Sequence, residues 1–118
     1  MEIQKVGVVG CGLMGSGIAQ VTATAGFQVT VREVNDAPLD TGFQAIHRSL
    51  SKLVDKNKLT DVERQNTLSR LRRTTALADL KDSDLIIEAI TENPQVKKDL
   101  FRELDTLCPP PTLFASNP

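Results

Sequence analysis

Gly10-Cys11-Gly12-Leu13-Met14-Gly15 forms a G-x-G-x-x-G turn between a β-rich run, Ile3 to Val9, and a helical stretch, Leu13 to Ala25. Glycines also occur in ordinary turns, so the hexad alone says little. Its context is specific: a hydrophobic strand before it, a helix opening from it, and Glu33 closing the next strand, 18 residues past Gly15. Those features together are the fingerprint of a dinucleotide site. Gly10 permits the tight turn, Gly12 removes the Cβ that would hold backbone away from a pyrophosphate, and Gly15 lets helix and strand lie close. The helix N-terminus offers N–H groups and the positive end of its dipole to the diphosphate. Glu33 can accept hydrogen bonds from the adenosine ribose hydroxyls and repel a 2′-phosphate, which favours NAD over NADP.

The rest of the chain alternates in the same way. Gly26 stands where a helix C-terminal cap belongs, and Phe27 to Arg32 returns to strand. Asp36 is expected to cap a helix through Lys56, with Leu39, Phe43, Ile46, Leu50, Leu53 and Val54 recurring every three or four residues. Thr60 and Glu63 form a capping box for a further helix through about Arg73. Leu85 to Ile90 reads as a buried strand. Asn93-Pro94 starts a helix whose apolar stripe is Val96, Leu100, Leu104 and Leu107, and Thr112 to Ala115 forms a last strand. The order β-α-β-α-α-β-α-β predicts an α/β fold: a Rossmann-type, doubly wound, mainly parallel sheet with helices on both faces, forming one domain over residues 1–118.

Composition closes off other classes. Fourteen Lys and Arg against 15 Asp and Glu give a net charge of −1, without the basic surplus that nucleic acid or an anionic membrane attracts. No apolar run is long enough to span a bilayer, and no targeting segment precedes the first strand. Two distant cysteines, Cys11 and Cys108, with a single histidine, make neither a disulfide scaffold nor a metal site, and the expected location is cytoplasmic.

Single residues are less specific. Arg32 should point away from Glu33 on the strand, solvated or stacked near the adenine; the alternative is contact with a 2′-phosphate. Ser49, Lys52 and Lys56 share one helix face, which by spacing reads as an ordinary solvated one. His47 reads as a surface residue, Cys11 as a small packed thiol, and Met14 as facing the helix interior. Glu88, inside an apolar run, receives no role.

Three blocks, VGVVGCGLMGSGIAQVTATAGFQVTVRE, DLIIEAITENPQVKKDLFRELD and LFASN, resemble the N-terminal half of the L-3-hydroxyacyl-CoA dehydrogenases, including bacterial 3-hydroxybutyryl-CoA dehydrogenases. The resemblance spans essentially the whole chain. It implies an enzyme that oxidises the 3-hydroxyl of an acyl-CoA to a ketone and passes hydride to NAD. Position by position, Gly10 to Gly15 would hold the pyrophosphate and Glu33 the adenosine ribose. Glu92 and Lys97 would lie at the nicotinamide end, with Ser49 and Lys56 at CoA-binding positions.

Members of that family continue from Ala-Ser-Asn into Thr-Ser-Ser, whose first serine contacts substrate and cofactor. They then supply a histidine base, oriented by a glutamate, and a helical dimerisation domain. Here Pro118 stands in the threonine's place. The expectation is a truncated cofactor domain, inactive by itself, from a parent that is a homo-oligomer. The alternatives are a stand-alone NAD-binding module and a relative of gulonate dehydrogenase and lambda-crystallin.

Overall fold

The computed structural model describes residues 2–90, 94–109 and 112–116. Five parallel strands form one sheet in the order β3-β2-β1-β4-β5. Strand β1, Lys5–Val9, is central and pairs with β2, Gln28–Arg32, on one side and with β4, Leu85–Glu88, on the other. The chain winds outward through β2 to β3, Leu71–Thr74, then crosses back to β4 and β5, Leu113–Ser116. Between β1 and β4 the winding reverses, and ligands of such sheets bind beyond the strands' carboxyl ends there.

Alternation along the strands sends side chains to two cores. Val6, Val8, Val29 and Val31 meet Ala19 and Ala23 of α1, Leu13–Thr24, and Leu39, Ile46 and Leu50 of α2, Asp36–Asp55. On the other face Val9 and Ile86 meet Leu77 and Leu80 of a short 3-10 turn, and Leu100 and Leu104 of α4, Pro94–Leu107. The doubly wound fold is therefore as expected. Asp84, just before β4, accepts the backbone N–H groups of Gln4 and Lys5, each at 2.9 Å, and these bonds hold its carboxyl below the ordinary carboxylate range.

Four local expectations are corrected. The third helix, α3, covers only Asp61–Ser69; its capping box is present, but Leu71–Thr74 pairs with β2 as an edge strand. Leu-Arg-Arg-Thr lacks a strand's apolar alternation, and pairing to β2 decides its conformation. The α2 cap is Asn35, whose Oδ1 accepts the Ala37 N–H at 3.2 Å, so Asp36 is already helical. In α4, Leu100 and Leu104 are buried, whereas Val96 and Leu107 at the stripe's ends are exposed. Met14 does not face the helix interior: it is 56% exposed, because α1 meets the sheet through Gly15, Ala19 and Ala23. Gly26 does close α1, at a φ of 111° that favours glycine. The expected cap Asn93 lies outside the described residues.

Candidate functional site

The turn after β1 is fixed by close backbone contacts. Gly10 donates to the Arg32 carbonyl at 2.9 Å and has a φ of 107°. A Cβ on Gly10 would lie 2.7 Å from the Ala89 oxygen, and one on Gly15 would lie 1.9 Å from the Gly10 oxygen. The loop is thus pressed between β4's exit and the first turn of α1. At Gly12, the residue preceding α1, an added Cβ would meet nothing within 4 Å. Gly12 itself offers no side-chain cap to this helix.

Glu33 stands immediately after β2, and its carboxylate spans the loop. Oε2 accepts the Cys11 N–H at 2.9 Å and Oε1 accepts the Val34 N–H at 3.0 Å. Each oxygen keeps a lone pair for a further donor. A cleft of about 480 Å³ opens here, walled by Gly12, Glu33, Val34, Ile90, Val96 and Leu100. Arg32 lines it too, with its Nε donating to the Thr75 carbonyl at 3.3 Å. The Arg32 guanidinium thus bonds to the segment after β3, and the Glu33 carboxylate to the glycine turn.

Cys11 is the packed thiol expected, and Gly42 of α2 is the reason it fits. A Cβ on Gly42 would fall 2.2 Å from the Cys11 Sγ and 2.6 Å from its carbonyl oxygen. Burial, reinforced by the Glu33 charge and opposed by Arg73, pushes the Cys11 thiol up to about 11. At pH 8 that leaves about 100-fold less thiolate than an ordinary thiol. Iodoacetamide should accordingly modify Cys11 in the folded chain at least ~100-fold more slowly than free cysteine, read by mass spectrometry. Labelling at the free-thiol rate would show that the loop opens.

The remaining predicted residues are dispersed. Lys97, on α4, lies 3.3 Å from a carboxylate oxygen of the buried Glu88. Ser49 is half-buried on α2 and accepts a hydrogen bond from Gln20 Nε2 of α1 at 3.0 Å. Lys52, Lys56 and His47 are exposed on α2 or at its end. Neither Ser49 nor Lys56 lines the cleft. Glu92 lies outside the described residues. A larger hollow, about 690 Å³, sits at the amino ends of the strands between Lys5, Lys81 and Cys108, the wrong end for a ligand of this architecture. Among the described residues no three His, Cys, Asp or Glu side chains gather as a metal site, and no helix is long and apolar enough to cross a membrane.

Known proteins share this arrangement. The sequence model of the "3-hydroxyacyl-CoA dehydrogenase, NAD binding domain" matches residues 5–118. A probable 3-hydroxybutyryl-CoA dehydrogenase of Deinococcus radiodurans is 48% identical over 113 residues, which are 96% of this chain and 40% of the relative. The 3-hydroxyadipyl-CoA dehydrogenase of Escherichia coli is 40% identical over 99% of this chain and 25% of its own length. The crystal structure of Mycobacterium tuberculosis FadB2 superposes with a TM-score of 0.97 at 46% identity, covering all of this chain and 42% of that one. The chain thus spans well under half the length of these relatives. With a parallel sheet wound in this order, a glycine turn open at Gly12, Glu33 at the cleft and a match along nearly its whole length, the chain belongs to the 3-hydroxyacyl-CoA dehydrogenase family as its NAD-binding domain.

Proposed function

We propose that this chain binds NAD(H) in the cleft above Gly12 and supplies the cofactor half of an enzyme interconverting L-3-hydroxyacyl-CoA and 3-oxoacyl-CoA. The observation that carries this reading is the open space at Gly12 beside the Glu33 carboxylate. The residues fit the cofactor: the start of α1 takes the diphosphate, Glu33 the ribose diol, and Val34 beside it an apolar contact for the adenine, while Ile90, Val96 and Leu100 wall the cleft on the β4 side. Bound NAD supplies a hydride acceptor at its nicotinamide ring. From Glu33, beyond β2, the dinucleotide crosses the reversal point toward β4, so the nicotinamide half falls on the side of Lys97; Glu92 is assigned to that end by the family resemblance alone.

Ser49 and Lys56 are proposed to meet the CoA portion of the substrate along α2, with Lys56 presenting its charge to a phosphate. In this reading the groups that move the hydroxyl proton belong to a further part of the parent enzyme, and His47, exposed on α2, takes no part. The two free, buried thiols suit a reducing, cytoplasmic setting.

Calorimetric titration with NAD⁺ and NADP⁺ tests the assignment. NAD⁺ should bind preferentially, and Glu33→Ala should weaken it by ~1–3 kcal/mol, the scale of a hydrogen bond to a charged group. Part of that loss comes from freeing the Cys11 N–H, which Glu33 holds in place. Equal affinity for NADP⁺ would overturn the reading of Glu33 and make Arg32 a phosphate ligand.

A further inference from the structure

Glu88 is the last residue of β4, and its side chain is wholly shielded from solvent. Ile86, two residues earlier on the same face, is an ordinary core side chain. A carboxylate is an expensive replacement for an apolar residue there unless it is paired and hydrogen-bonded. Three groups from three segments converge on it. The Ile90 N–H donates to Oε2 at 2.6 Å, the Ser116 hydroxyl of β5 donates to Oε1 at 2.7 Å, and Lys97 Nζ of α4 lies 3.3 Å from Oε1. Glu88 therefore ties the end of β4 to the end of β5 and to the first turns of α4.

This knot stands at the carboxyl ends of the strands, on the β4 side of the winding reversal. The adenosine half of the cleft is on the other side, at Glu33 beyond β2. Burying a pair is seldom worth more than packing an apolar residue, whereas a buried pair does fix geometry when both charges are held. Lys97 is a long side chain with several rotatable bonds, and that side chain is 19% exposed in this pair. Without Glu88 it would sample solvent, and the end of β5 would lose its hydroxyl anchor.

We infer that Glu88 is a positioning residue that sets Lys97 and the end of β5 around the nicotinamide half of the cofactor cleft. The inference rests on the NAD reading above and concerns one half of that ligand only. The adenosine half is held by Gly10 to Gly15 and Glu33, none of which bonds to Glu88.

The test compares NAD⁺ with ADP-ribose, which keeps the adenosine, diphosphate and second ribose but lacks nicotinamide. Both are titrated calorimetrically into the chain and its Glu88→Gln, Lys97→Met and doubly substituted variants, with thermal unfolding followed alongside. Glu88→Gln keeps the size of the side chain and removes its charge. It should weaken NAD⁺ about tenfold, the scale of one charge-assisted bond, and leave ADP-ribose within about twofold. The double variant should lose no more than about twofold in NAD⁺ affinity beyond Lys97→Met alone, the part of the Glu88 effect that runs through the end of β5. Should Glu88→Gln not fold, Ser116→Ala removes one anchor and should show a smaller loss, again confined to NAD⁺. Equal losses for both ligands would reduce Glu88 to a structural residue, and unchanged affinity for both would overturn the inference. If the unsubstituted chain binds neither ligand, the cofactor reading itself falls.

Discussion

Gly12→Val should abolish NAD⁺ binding and leave the fold essentially untouched. Gly12 has an extended backbone, with φ −73° and ψ −167°, that any residue adopts, and an added Cβ meets no atom of the described residues within 4 Å. Among the described residues nothing therefore crowds the first atom of the new side chain, and thermal unfolding should shift by no more than about 3 °C. The space that the side chain fills is the approach to the start of α1, where a diphosphate must come within hydrogen-bond distance of backbone N–H groups. Affinity should fall at least ~100-fold in calorimetry, because the diphosphate must either leave those donors or overlap the methyl groups. Circular dichroism checks the fold. A variant that folds and binds at full strength would move the cofactor elsewhere.

Gly15→Ala should have the opposite profile, with stability failing first. Its methyl would lie 1.9 Å from the Gly10 carbonyl oxygen and 2.8 Å from the Gly10 carbonyl carbon, both of them backbone. Gly10 is itself wedged against Ala89, so the clash has no flexible side chain to displace. Relief requires moving α1 off the sheet, at a cost of ~3 kcal/mol. The unfolding midpoint should drop by roughly 10 °C, and NAD⁺ binding should go with the loop. Gly17→Ala, two residues on, is the control: its Cβ meets nothing within 4 Å, and alanine in that helical position should stabilise by up to ~1 kcal/mol. If Gly15→Ala and Gly17→Ala behaved alike, the close approach of loop and helix would be wrong.

These contrasts show which parts of the site can be read from residues in order along the chain. The glycine turn was readable because strand, turn, helix and acidic residue all fall within the first 33 positions, and each has a local cause. Strand β3 was hidden because Leu71 to Thr74 becomes a strand only through its partner β2, some 42 residues earlier in the register Val29↔Leu71. Gly42 carries a signal of its own in the sequence. A glycine inside a long amphipathic helix costs about 1 kcal/mol relative to alanine, so its presence asks for a close neighbour, which is Cys11. Glu88 was conspicuous as a charge in an apolar run, but its partners sit on α4 and β5, and their convergence belongs to the folded chain. Ser49 and Lys56 show the reverse case: the helix is where the pattern put it, while their proposed role rests on resemblance.

The central position of β1 also bears on how the molecule is made. The strand leaves the ribosome before both of its neighbours, and one of them, β4, comes some 80 residues later, with Asp84, which accepts from Gln4 and Lys5, just before it. During synthesis the nascent chain can close β1 against β2 and cover that face with α1 and α2. The other edge of β1 stays open until Glu88 has emerged. Parallel strands joined over such separations carry a large loop-closure penalty and fold slowly. For that interval the half-built sheet exposes an unpaired row of N–H and C=O groups flanked by valines, the state in which a translating chain is most exposed to association with its neighbours on the same message.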